Sequence, residues 1–168
     1  MTMMKKMMMT AMMILVAALC CFAGTHTHTI TLVSRVEKQD AQYVIRNAET
    51  GATGASVVYC TDEIARQDVG TSFDIIQCND SNGINKVHFT VSATELQAKV
   101  GGKLYSTNGV QILMNGVACG SEVSFTRTTV GAVAAGTVVE GFKVIWPTNA
   151  NLVDATYEAC VVLTATSM

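Results

Sequence analysis

The chain has 168 residues, with 11 basic against 13 acidic side chains, a net charge of −2 and 49% hydrophobic residues. No basic run interrupts it, which argues against nucleic acid as a partner. Residues 24–168 amount to a single domain of ordinary size.

The chain opens with Met1 to Met4 and Lys5-Lys6. An apolar run rich in Met, Ala, Ile, Leu and Val follows, ending near Cys21-Phe22-Ala23. A short positive start, an apolar stretch and a small residue at its end predict a secretory signal peptide over 1–23, with cleavage after Ala23. The run is shorter than the ~20 apolar residues that a membrane-spanning helix needs. Removing Lys5 and Lys6 from the 11 basic residues leaves nine against 13 acidic, a charge of −4.

Residues 24–36 form an extended N-terminal segment. Thr25-His26-Thr27-His28-Thr29-Ile30-Thr31-Leu32-Val33-Ser34-Arg35-Val36 carries Thr at every odd position from 25 to 31. No hairpin holds this strand, so it is free to pair with its own sheet or with a neighbouring molecule's. Glu37 to Ala41 is a polar bend that leads into the body of the domain, residues 37–168.

Short strands are predicted over 43–46 and 56–60, separated by a turn segment at 47–54. Residues 62–68 are expected to form one helical turn that Gly70 ends. A strand over 73–78 runs into the turn Asn79-Asp80-Ser81-Asn82-Gly83. In 86–92 the alternation is clean, with Val87, Phe89 and Val91 on one face and His88, Thr90 and Ser92 on the other. A helical turn is expected over 94–100, before Gly101-Gly102. Val110 to Met114 runs into Asn115-Gly116, the strongest short hairpin signal in the chain. Strands over 122–127 and 138–146 flank a small-residue loop, and Pro147 stops the second of them. Residues 149–154 form a loop.

The last predicted strand, Thr156 to Ser167, puts Tyr157, Ala159, Val161, Leu163 and Ala165 on one side. Glu158, Cys160, Val162, Thr164 and Thr166 fall on the other. Its β-branched residues, with no Gly or Pro among them, mark a half-buried strand. Strand follows strand at the 8–12 residue spacing of a sandwich or barrel, so the fold is expected to be all-β.

Four cysteines follow the signal segment: Cys60, Cys78, Cys119 and Cys160. An even number in an exported chain points to disulfides. Three pairings are open, and nearest-neighbour pairing, Cys60–Cys78 with Cys119–Cys160, is favoured. No Cys-x-x-Cys and no Cys/His cluster supports zinc. His26 and His28 share a strand face about 7 Å apart, without a third ligand nearby. His88 is the one histidine in the body of the domain, and it faces outward. No carboxylate pair, phosphate loop or nucleophile–base pair is marked by spacing, so neither turnover, a metal nor a cofactor is expected.

From Gly109 on, about a third of the chain resembles the subunits of chaperone–usher fimbriae. The resemblance rests on Asp154 to Thr164, a loop followed by an alternating strand, and on the hairpin at Ile112-Leu113-Met114-Asn115-Gly116. It implies an immunoglobulin-like β-sandwich that lacks one strand and is completed by a strand donated from the next subunit. In that scheme Ile30 and Leu32 are the donor's apolar plugs, and Tyr157, Ala159, Val161 and Leu163 line the accepting groove. The implied partners are other copies of the subunit, a periplasmic chaperone, an outer-membrane usher and a host receptor. The implied location is the cell surface, reached through the periplasm. The alternative is a stand-alone secreted, disulfide-bonded β-sandwich that binds a partner.

Overall fold

Alternating side chains make stable strands only where the apolar face meets a second apolar face, and two sheets here provide those faces for each other. The computed structural model describes residues 41–168, all strands and connections. The predicted signal peptide, the segment 24–36 with Ile30 and Leu32, and with it His26 and His28, lie outside the described residues.

Among the described residues twelve strands follow in order. The first four are β1 (Tyr43–Asn47), β2 (Thr53–Gly54), β3 (Ser56–Thr61) and β4 (Val69–Gln77). Next come β5 (Ile84–Ala93), β6 (Gln97–Val100), β7 (Lys103–Ser106) and β8 (Gln111–Met114). The last are β9 (Val117–Ala118), β10 (Glu122–Val130), β11 (Val138–Trp146) and β12 (Tyr157–Ser167).

One sheet runs β2-β1-β4-β11-β8-β9. In the other, β10, β5 and β12 are neighbours, the β6–β7 hairpin hangs from β12, and β3 pairs with β12 as well. All of these pairings are antiparallel. Ile45, Phe73, Ile75, Ile112 and Val144 of the first sheet share one apolar core with Val57, Phe89, Val91, Val161 and Leu163 of the second. Two antiparallel sheets closing on a common core is the arrangement of a β-sandwich. The expectation of an all-β domain therefore holds.

Local expectations fared unevenly. In β5, Val87, Phe89 and Val91 are buried and His88, Thr90 and Ser92 face outward, as the alternation predicts. The Asn115-Gly116 hairpin forms, with both residues at positive φ (51° and 79°), the backbone of a type I′ turn.

Both expected helical turns are absent. Residues 62–68 form a non-helical turn, and Gly70 lies inside β4 rather than ending a helix. A Cβ at Gly70 would sit 2.9 Å from the Val144 carbonyl oxygen, so glycine is there because the β11 backbone comes too close for any side chain. Residues 97–100 are strand β6, not helix. Gly101 and Gly102, at φ 57° and 83°, let the chain reverse in two residues, and β6 pairs at once with β7.

Candidate functional site

The site is the edge of β12. Tyr157 starts this strand and is fully buried. Its phenol donates to the Val153 carbonyl and accepts from the Val153 N–H, both at 3.1 Å. A ring at the start of a strand that ties back to the preceding loop is a tyrosine corner, which fixes where the strand enters the sheet. Ala159, Val161 and Leu163 follow at period two, 4%, 0% and 7% exposed. The four residues expected to line a groove thus sit together on one face of β12, packed into the core.

The two edges of β12 differ. On one side β5 pairs with Val161 to Ser167, and Gln97 of β6 pairs with Glu158. On the other side β3 pairs with Tyr157 to Val162. Beyond Val162 that side carries one further bond, from Leu163 N–H to the Ala55 carbonyl (2.8 Å). Among the described residues no strand lies beside Thr164, Ala165, Thr166 and Ser167 there, and all four are exposed. Across the core near this stretch, Tyr43 of β1 meets Phe89 edge-on at 4.8 Å, and Phe89 is in register with Ala165.

β3 is held to the body by its own inward residues. Val57 is 4% exposed, and Tyr59 stacks on Trp146 with centroids 4.8 Å apart and planes 1° from parallel. Burial raises the Tyr59 phenol above its ordinary 10.0, and the Glu49 and Glu63 carboxylates add to the rise while a bond with Thr61 opposes it. Burial likewise raises Tyr43. Both follow from the cost of ionising a phenol away from water.

No disulfide joins Cys60, Cys78, Cys119 or Cys160 in this structure. Cys60 lies near the end of β3 beside the Trp146–Val69 end of β4, as the Tyr59–Trp146 stack and the β11 register require. Cys78 follows the opposite end of β4, bonded through its N–H to the Gln42 carbonyl. A nine-residue strand, about 30 Å long at ~3.3 Å per residue, separates them. Cys119 is tied to Ile112 in the first sheet, whereas Cys160 lies on the outward side of β12 in the second. Neither nearest-neighbour pair is brought together.

The register instead puts Cys60 opposite Glu158 and Cys160 opposite Val58, so Cys60 and Cys160 are diagonal neighbours on one outward face. The Cys160 thiol is 2.7 Å from the Ser56 hydroxyl, and its backbone N–H donates to Thr94 Oγ1 at 2.9 Å. Beside it is a shallow hollow of about 260 Å³, lined by Val58, Thr94, Glu95, Gln97, Glu158 and Cys160 among others. Cys60, Glu158 and Cys160 do not converge as a three-ligand metal set.

The role of β3 as neighbour to β12 was not legible in the sequence. Ser56 and Cys160 are 104 positions apart, and no local pattern records a pairing at that separation. No protein-family model matches the chain, and a search of curated proteins finds no match either.

Proposed function

We propose that the protein is a structural subunit of a bacterial surface fimbria, polymerised by donation of a strand between copies. On this reading it has no turnover and contributes to adhesion to host cells. It passes through the periplasm with the help of a chaperone and an outer-membrane usher.

The half-covered edge of β12 carries the proposal. An immunoglobulin sandwich orders its strands A-B-E-D in one sheet and C-F-G in the other. The order β1-β4-β11-β8 corresponds to the first, and β5 beside β12 corresponds to C and F. The tyrosine corner falls at the start of F, where that class has one. In the place of G stands β3, borrowed from the A–B segment, and only as far as Val162. An extended strand from another molecule would continue the sheet along Leu163 to Ser167. Residues 25–36, with Ile30 and Leu32 two positions apart, have the composition for it.

A second reading has its own observation. Tyr157, Ala159, Val161 and Leu163 are already buried by the chain's own residues, which favours a self-contained secreted binding domain.

Electrophoresis of the purified protein without boiling separates the two. Strand exchange gives a ladder of multimers that collapses on heating, and Ile30→Asp with Leu32→Asp removes the ladder while leaving export intact. A single heat-independent monomer band in the absence of any chaperone, or a normal ladder from the double variant, overturns the fimbrial reading.

A further inference from the structure

Lys99 to Leu104, the tip of the β6–β7 hairpin, are six consecutive exposed residues. Val100 is 40% exposed and Leu104 59%. The turn itself is Gly101-Gly102, with open space where each Cβ would be. The tip is therefore narrow, and its only side chains are two aliphatic groups and two lysines.

The charge along the hairpin itself is of one sign. Residues 41–168 hold seven basic and 11 acidic side chains, yet none of the acidic ones falls between Leu96 and Thr107. Ion pairs engage Arg46, Arg66 and Arg127. Lys99 and Lys103 form no ion pair among the described residues, and the Lys103 ammonium lies 4.9 Å from the centre of the Tyr105 ring. Two carboxylates, Glu95 and Glu158, are at the body end of the hairpin, where Glu95 accepts from the Ser106 hydroxyl (2.7 Å) and Glu158 faces Gln97.

We infer that this tip docks on the surface of a lipid bilayer containing anionic phospholipid. The register pairs Lys99 with Leu104 and Val100 with Lys103, so each face of the tip carries one aliphatic group and one lysine. Entering tip first, both aliphatic groups pass below the headgroups. Both lysines meanwhile extend back along their stems to the phosphates. Tyr105, half-buried one residue further in, lies at the depth where tyrosine rings favour the interface.

The base is fixed before binding. Ala98 is buried, Thr107 N–H bonds to the Leu96 carbonyl at 3.0 Å, and Leu96 N–H bonds back to Thr107 Oγ1 at 3.1 Å. Little ordering remains to be done on binding. A soluble anionic polysaccharide could also engage the lysines, but it would leave Val100 and Leu104 in water. That difference favours the bilayer. The inference does not depend on polymerisation, since the tip is remote in sequence from residues 25–36 and 163–167.

The test is co-sedimentation of the full chain with phosphatidylcholine vesicles, with and without phosphatidylglycerol. The expected result is binding to the mixed vesicles that falls with salt and is at least tenfold weaker on phosphatidylcholine alone, on the order of what two surface lysines supply. Val100→Ser with Leu104→Ser, and separately Lys99→Gln with Lys103→Gln, should each weaken it by roughly tenfold. All four side chains are exposed, so the fold tolerates these changes. Equal binding to both vesicle types, or none, overturns the inference. So does undiminished binding by the serine variant with complete competition by dextran sulfate, which would identify a polysaccharide-type site.

Discussion

Tyr59 and Trp146 stack with their planes 1° from parallel and their centroids 4.8 Å apart. Trp146 is fully buried and its indole N–H donates to the Thr94 carbonyl at 2.9 Å, so its position is set from both ends. Tyr59 is the movable partner, and through it β3 is fastened beside β12.

Tyr59→Ala removes that fastening. A half-buried ring that loses its stack should destabilise the domain by about 2 kcal/mol. Hydrogen exchange should rise first in β3 and at Tyr157, Ala159 and Val161 of β12, which alternate with Cys160, whose N–H bonds to Thr94 on the opposite edge. Loss of protection spread evenly over both sheets would show that β3 is not separately held.

Tyr157→Phe keeps the ring and deletes the hydroxyl that serves both Val153 N–H and Val153 carbonyl. Two backbone groups then lose their partner, at a cost of about 1–2 kcal/mol. Urea unfolding measures it, with an unchanged slope expected. No change in midpoint would mean that water replaces the phenol without loss.

Mild oxidation with copper phenanthroline should join Cys60 to Cys160 before any other pair within the molecule. They are diagonal on one outward face, and diagonal neighbours are ~7–8 Å apart between Cα atoms, just beyond disulfide range. A small movement of β3 closes the gap, and the bridge would then secure β3 to β12. Peptide mapping decides it. A Cys60–Cys78 or Cys119–Cys160 link as the first product would contradict the strand register.

Burial raises both Tyr43 and Tyr59 above 10.0, which fixes the sign of a pH effect. The folded chain holds these phenolic protons more tightly than the unfolded chain does. Stability is therefore unaffected by these groups below pH ~10 and declines as pH rises from there toward their folded values. Ultraviolet titration should show late-ionising phenols that Tyr43→Phe and Tyr59→Phe each remove, and thermal midpoints should fall over the same range. Loss of an ordinary rather than a late-ionising phenol in both variants would refute the burial argument.

Period-two alternation was enough to find β5 and β12, because a strand half in the core writes its burial directly into the chain, and extended runs between turn signals marked β1, β3, β4, β8, β10 and β11. Asn115-Gly116 and Pro147 were equally legible, since turn geometry and the missing proline N–H act within a few residues. The helical turns expected over 62–68 and 94–100 failed for a related reason. Each segment is too short for its pattern to specify a helix: 62–68 folds as a turn, and 97–100 takes a strand partner. For 97–100 that partner was the β7 strand, brought alongside by two left-handed glycines.

The inward set Tyr157, Ala159, Val161 and Leu163 was likewise determined by the sequence alone. What lies beside it was not. β3 reaches the edge of β12 across about a hundred residues of chain, and the same separation lies behind the diagonal placing of Cys60 and Cys160 and the contact of Ser56 with the Cys160 thiol. Such pairings are selected by the packing of two sheets around one core, with Val57 and Tyr59 anchoring β3 from within. Side-chain period records which face of a strand is buried, but carries no information about which strand lies at its edge, and only the tertiary structure supplies that.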